Sequence, residues 1–183
     1  MKLKNRSELP ILLNRLELLG HGAEIGVQQG RFAQEILRGW LGEKLYLIDC
    51  WRQMPGYQDI ANVDPNQQLN HLAHTFMNVY EFGARATIIR EFSLEAVKLF
   101  ANASLDFVYL DSDHSYEGVS ADLQAWYPKI RPGGIFAGHD FLDGVNSCGV
   151  FGVASAVTEF AATIGRQIET TEEEDFPSWI LRL

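Results

Sequence analysis

Basic residues are scarce in this chain: 15 lysines and arginines stand against 24 aspartates and glutamates, giving a formal net charge of -9 and a sequence pI near 5.0. A phosphate backbone is held by clustered Lys and Arg, so nucleic acid is excluded as a partner. Cysteine is scarcer still. Cys50 and Cys148 form neither a C-x-x-C pair nor a disulfide framework, which fits a reducing compartment. No apolar run approaches the ~20 residues that cross a bilayer, and Asn14, Arg15 and Glu17 interrupt the N-terminal apolar stretch too early for an export signal. The expectation is a soluble cytoplasmic protein with no membrane partner; self-association into a homo-oligomer stays open. Low-complexity tracts, internal repeats and linkers are absent as well.

What remains is an ordinary globular composition, 46% hydrophobic and 21% charged over 183 residues. One domain over 1–183 is expected, since a chain of this length buries roughly 70% of the surface that its unfolded form exposes. Helical and extended patterns alternate along it. Ser7 to Leu19 reads as an amphipathic helix capped by Ser7, so that residues 1–20 precede the sheet. Strands are expected at Ala23–Val27, Leu45–Ile48, Ala86–Ile89, Leu105–Leu110 and Ile135–Ala137, then Gln167–Thr170 and Trp179–Leu183. Helices are expected at Arg31–Gly39, Asn70–Phe82, Leu94–Phe100, Tyr116–Trp126 and Val150–Ile164. The polar stretch 51–68, with Pro55, Gly56 and Pro65, is a candidate lid. Repeated strand–helix alternation argues an α/β, Rossmann-like, doubly wound sheet of about seven strands, mainly parallel with an antiparallel C-terminal strand.

In such sheets ligands bind beyond the carboxyl ends of the strands. The first strand ends in Glu24-Ile25-Gly26-Val27-Gln28-Gln29-Gly30, where Gly26 and Gly30 let backbone approach a ligand at a helix start, or simply make a tight turn. Asp49 follows Glu24 by 25 residues, close to the ~20-residue spacing at which an acid accepts both hydroxyls of an adenosine ribose. The plainer alternative for Asp49 is a solvated loop acid or helix cap. The pattern E-x-G-x-x-x-G lacks the third glycine of the pyrophosphate fingerprint, which weakens a nicotinamide reading. Residues 23–32 followed by Asp49 resemble the first two motifs of class I S-adenosylmethionine-dependent methyltransferases. That resemblance implies that the loop bearing Glu24, Gly26 and Gly30 holds the methionine part of the cofactor and that Asp49 holds its ribose. It also implies Ser93 near the adenine. Trp51 either covers the adenine, begins the lid or anchors the core.

The stretch 105–141, LDFVYLDSDHSYEGVSADLQAWYPKIRPGGIFAGHDF, resembles small methyltransferases that include enzymes acting on macrolide sugar hydroxyls. Its chemistry is legible without that likeness. Asp111 ends the fourth strand while His139 and Asp140 end the fifth, so adjacent strand ends bring two carboxylates and an imidazole together. Such a set suits a divalent cation, magnesium by its oxygens or manganese, iron or zinc by its imidazole. Catechol-type methyltransferases place Asp, Asp and Asn there, and the His139-Asp140 pair departs from that pattern. The macrolide-sugar likeness implies His114, three residues beyond Asp111, as general base; the alternative is a helix start capped by Asp113 or Ser115.

Three functions follow. The first is a methyltransferase using S-adenosylmethionine and a divalent metal on a small-molecule hydroxyl, with Asp111 and His114 catalytic. The second is an NAD-dependent oxidoreductase, and the third a binding module for an adenosyl ligand that would leave Asp111, His114 and Asp140 dispersed.

Overall fold

The computed structural model describes residues 2–183. A single 3-10 turn at Arg6–Glu8 leads into helix α1 (Leu9–Arg15), strand β1 (His21–Ile25), α2 (Arg31–Gly39) and β2 (Lys44–Asp49). Then come α3 (Pro65–Val79), β3 (Ala86–Arg90), α4 (Ser93–Ala96), β4 (Leu105–Leu110), α5 (Tyr116–Trp126) and β5 (Ile130–Gly138). A short hairpin of β6 (Asp143–Val145) and β7 (Val150–Gly152) precedes α6 (Val153–Thr163), β8 (Ile168–Thr170) and β9 (Trp179–Arg182). Seven strands form one sheet in the order β3-β2-β1-β4-β5-β9-β8. β1 to β5 run parallel, β9 is antiparallel to β5, and β8 is antiparallel to β9.

Burial explains why the central strands read so clearly. Every residue of β4 is buried, because one face packs against Val119, Leu123 and Trp126 of α5 and Val157 of α6 while the other meets Phe32 and Ile36 of α2 and Leu12 and Leu13 of α1. A parallel strand covered on both faces needs a continuous apolar run, not alternation. Chain order reverses between β1 and β4, so the carboxyl ends of these two strands open a crevice.

Several boundaries differ from expectation. The first helix is shorter than 7–19, and its entry is capped by Asn5, whose side chain accepts from the Ser7 N–H; the Ser7 hydroxyl instead donates to Glu35 at 2.7 Å. Helix α3 begins at Pro65 because Asp64 accepts from the N–H groups of Asn66 and Gln67. The non-helical part of the candidate lid, expected at 51–68, is therefore confined to 52–64. Residues 150–152, expected to be helical, pair with 143–145 as a hairpin, and the glycine at 152 ends it. Among the described residues no helix is long and apolar enough to cross a membrane.

Candidate active site

Gly26 marks where β1 yields to the crevice. Its φ is +87°, and a Cβ there would lie 1.8 Å from the Asp111 carbonyl oxygen, so only glycine lets β1 and β4 end side by side. Gly30, at φ +72°, sits at the start of α2 against Thr75 and does not line the cavity beyond the strand ends. Its role is in the turn. The cavity is about 790 Å³ and is lined by Glu24, Gly26, Asp49, Ser93, Asp111 and His139 among others.

Glu24 is only 2% exposed, and its Oε2 has no hydrogen-bond partner. Burial, with Asp111 nearby, pushes its pKa well above the usual carboxylate range. An unpaired buried carboxyl lining a cavity suits a cationic ligand group. Asp49 is more heavily engaged than expected. It accepts from the backbone N–H of Val27 at 3.0 Å, Gln28 at 2.8 Å and Trp51 at 2.8 Å, bonds that pin the glycine loop to the end of β2. Burial raises its pKa against those bonds. A carboxylate has about four acceptor sites, so room for a ribose hydroxyl remains.

One expected contact is corrected, and a second side chain is already engaged. Trp51 does not line the cavity: it is 1% exposed among Val27, Phe32 and Leu47, and its Nε1 donates to the Gln28 carbonyl at 2.7 Å. The core-anchor alternative holds. Ser93 does line the cavity, but its hydroxyl donates to Asp122 and accepts from Trp126 Nε1 at 2.8 Å. Buried Asp122 also accepts from Ser112 at 2.7 Å, so Ser93 ties the end of β3 to α5 rather than offering a free hydroxyl.

The cluster at β4 and β5 converges as the strand order requires. Ligand atoms of Asp111, His139 and Asp140 lie within 4.8 Å of one another. His139 Nδ1 is 3.0 Å from Asp140 and 4.0 Å from Asp111. Asp140 holds a left-handed φ of +53°, an unusual conformation for a residue other than glycine, and one found at functional sites. His114 Nε2 stands 3.0 Å from Asp140 and 3.4 Å from Asp111, and its ring stacks on Phe151 at 5.2 Å between centroids.

Three participants were not anticipated from sequence. Asp59 of the lid, its side chain 5% exposed, meets His114 Nδ1 at 2.9 Å. Tyr57 donates to the Ser112 carbonyl at 3.2 Å and accepts from the His114 N–H at 3.1 Å. Arg6, from the turn before α1, donates to Asp111 at 3.1 Å and lies 4.8 Å over the Phe32 ring. The same segment is bonded to the hairpin, by Ile60 N–H to the Cys148 carbonyl at 2.9 Å and Val150 N–H to the Gln58 carbonyl at 3.3 Å.

Charge follows this geometry. Burial alone would lower the His114 pKa, but the hydrogen bonds to Asp111 and Asp59 and the field of Asp140 raise it to about 10. Burial would raise Asp111, yet His114, His139 and Arg6 together hold it below its ordinary value. Without a cation, then, the cluster is built around an imidazolium. Its contribution to stability is complete below pH ~6.5, where unfolded His is also protonated, and is lost as pH rises toward 10. In excess chelator the thermal midpoint should therefore fall by roughly 10 °C between pH 6.5 and 10, several kcal/mol for a chain of this size. Calorimetry across that range checks this, and a flat profile in which His114→Gln behaves like the wild type would refute it.

The sheet order, the glycine turn after β1 and the acid after β2 define the Rossmann-like class I methyltransferase fold. The chain belongs to the methyltransferase domain family, whose model matches residues 23–141. It is 24% identical over 121 residues to the uncharacterized protein y4gI of Sinorhizobium fredii, a match covering 65% of this chain but only 12% of that protein's length. Among solved structures, it resembles an O-methyltransferase from Bacillus cereus in complex with S-adenosylhomocysteine: TM-score 0.65, 14% identity, 97% of this chain and 80% of that one. The N-methyltransferase NodS of Bradyrhizobium japonicum gives 0.62 at 16% identity, over 96% and 94% of the two chains. Spermidine synthase of Thermotoga maritima gives 0.61 at 16%, over 96% and 58%. These structural likenesses establish the fold, and the chemistry rests on the site.

Proposed function

We propose that this chain transfers the methyl group of S-adenosylmethionine to a hydroxyl oxygen of a small molecule, with a divalent cation at Asp111, His139 and Asp140. The observation that carries the reading is the shared cavity: the carboxylate–imidazole cluster and the glycine loop with Asp49 line one space of about 790 Å³. That volume suits a cofactor with a small acceptor. A binding module would leave Asp111, His114 and Asp140 without reason to converge, yet His114 lies within 3.4 Å of both carboxylates.

The residues fit both groups. Glu24, with its unpaired Oε2, faces the demand of an α-ammonium, and Asp49 retains acceptor capacity for a ribose. Asp111, His139 and Asp140 offer a mixed oxygen and nitrogen donor set suited to magnesium or manganese. When bound, such a cation supplies Lewis acidity that makes a coordinated hydroxyl easier to deprotonate. His114 is the proton acceptor. A cation held by Asp111 and Asp140 would draw both carboxylates from Nε2 and leave it able to take a proton, while Asp59 on Nδ1 fixes the ring's orientation. S-adenosylmethionine, when bound, would supply the methyl group and leave as the neutral thioether, and His114 would take the proton released by the acceptor hydroxyl. Phe151, stacked on the His114 ring, lines the same cavity and gives it an apolar wall beside the imidazole.

Titration calorimetry with S-adenosylhomocysteine tests the reading directly. Binding is expected, and Asp49→Ala should weaken it at least tenfold, since each charge-assisted bond contributes about 1.5–3 kcal/mol. Asp49→Asn should weaken it less, because the amide oxygen still braces part of the loop. Absence of heat with either the cofactor or its demethylated product would overturn the proposal.

A further inference from the structure

Arg6, Arg31 and Arg52 line the cavity, and of these only Arg6 is not exposed. It comes from the turn before α1, and its guanidinium lies over the Phe32 ring at 4.8 Å. Burial would lower its pKa, but Tyr109, Asp111 and Glu24 keep the group charged. A guanidinium cannot shed its proton to escape a poor environment, so this positive charge is a fixed feature of the cavity.

The two oxygens of Asp111 divide the site. Oδ2 takes Arg6 at 3.1 Å, while Oδ1 faces His114 Nε2 at 3.4 Å and His139 Nδ1 at 4.0 Å. The guanidinium therefore stands one carboxylate width from the cluster of Asp111, His139 and Asp140, and both open into the same space. A planar fork of five N–H donors is not exhausted by Asp111. Elsewhere along the cavity carboxylates outnumber arginines, so an anion would be repelled there. Beside Arg6 the balance reverses once a divalent cation shares Asp111, because one carboxylate cannot neutralise both. A second carboxylate can, and it matches the guanidinium edge with two parallel hydrogen bonds. Phe151 and Phe176, with ring centroids 6.2 Å apart, offer the apolar wall against which the rest of such a molecule would lie. We infer that the acceptor is a hydroxycarboxylate with an apolar body, its carboxylate held by Arg6 and its hydroxyl, on a neighbouring carbon, presented to the cluster. This assignment of acceptor class rests on the function proposed above, and it makes Arg6 the residue that selects the acceptor.

Titration calorimetry on protein saturated with S-adenosylhomocysteine, with magnesium in excess, tests it using salicylate and its neutral counterpart of the same shape, salicylamide. Salicylate should bind more tightly. Arg6→Gln, whose amide can still donate to Asp111, should weaken salicylate about tenfold or more and leave salicylamide and S-adenosylhomocysteine unchanged. Arg6→Lys keeps the charge without the fork and should recover part of the loss. Arg52→Gln, at the exposed arginine 5.6 Å over Phe92, should bind salicylate as the wild type does. Probes that bind alike, or that both fail to bind at millimolar concentration, overturn the inference while the methyltransferase reading stands. An Arg6→Gln variant that loses S-adenosylhomocysteine instead also overturns it, since Arg6 would then serve the cofactor. A wild type that binds no S-adenosylhomocysteine, measured before either probe is added, removes the proposed function and this inference together.

Discussion

Replacing Asp140 by alanine should lower divalent-ion-dependent methyl transfer by at least ~1,000-fold, while affinity for S-adenosylhomocysteine changes little. The size follows from the several kcal/mol that a Lewis acid contributes to stabilising developing charge, each ~1.4 kcal/mol being a factor of ten. The separation of effects follows from position. Asp140 lies at the end of β5 beside His139, whereas Glu24, Gly26 and Asp49 lie at the ends of β1 and β2. Asp111→Ala should match it in rate, with one difference: Arg6 loses its carboxylate and is freed into the cavity. Both variants leave imidazoles with fewer partners, so circular dichroism must accompany the kinetics. Turnover that persists in excess chelator would remove the metal from the mechanism and leave Asp111 and Asp140 as anchors of the imidazolium.

His114→Ala should reduce turnover by ~100 to 10,000-fold, the usual cost of removing a positioned general base. Metal and cofactor affinity should hold, because neither ligand set includes this imidazole. The deletion also strands Asp59 in a buried position, and His114→Gln, which can still donate to it, separates that stability cost from the chemical one. If His139→Ala loses the rate with metal still bound, while His114→Ala loses only stability, the two histidines exchange roles.

Sequence and structure agree where burial writes a pattern. The run Leu105–Leu110 is apolar but for Asp106, which accepts from the Gly20 N–H and from Arg131, because both faces are covered, and adjacency of β4 and β5 brings Asp111 to His139 and Asp140 with no further information. The participants that escaped notice are those whose contacts span the chain. Asp59 reaches His114 across 55 residues and Arg6 reaches Asp111 across 105, and neither spacing carries a local signature. Asp59 sits in a polar stretch whose composition signals a lid but not its contacts. Ser93 lines the cavity, as its place after β3 implies, but that its hydroxyl is taken shows only in the burial of Asp122. The strand at 150–152 was hidden because its partner is an equally short segment before it.

The clamp between lid and imidazole carries a kinetic consequence. Asp59 and Tyr57 hold His114 and Ser112, and Gln58 and Ile60 fasten the same segment to the β6–β7 hairpin. If the acceptor enters and leaves past residues 52–64, those hydrogen bonds must open, and the imidazole must give up its Asp59 partner, on each passage. Turnover should then slow in proportion to solvent viscosity, whereas a single turnover from preloaded enzyme should ignore it.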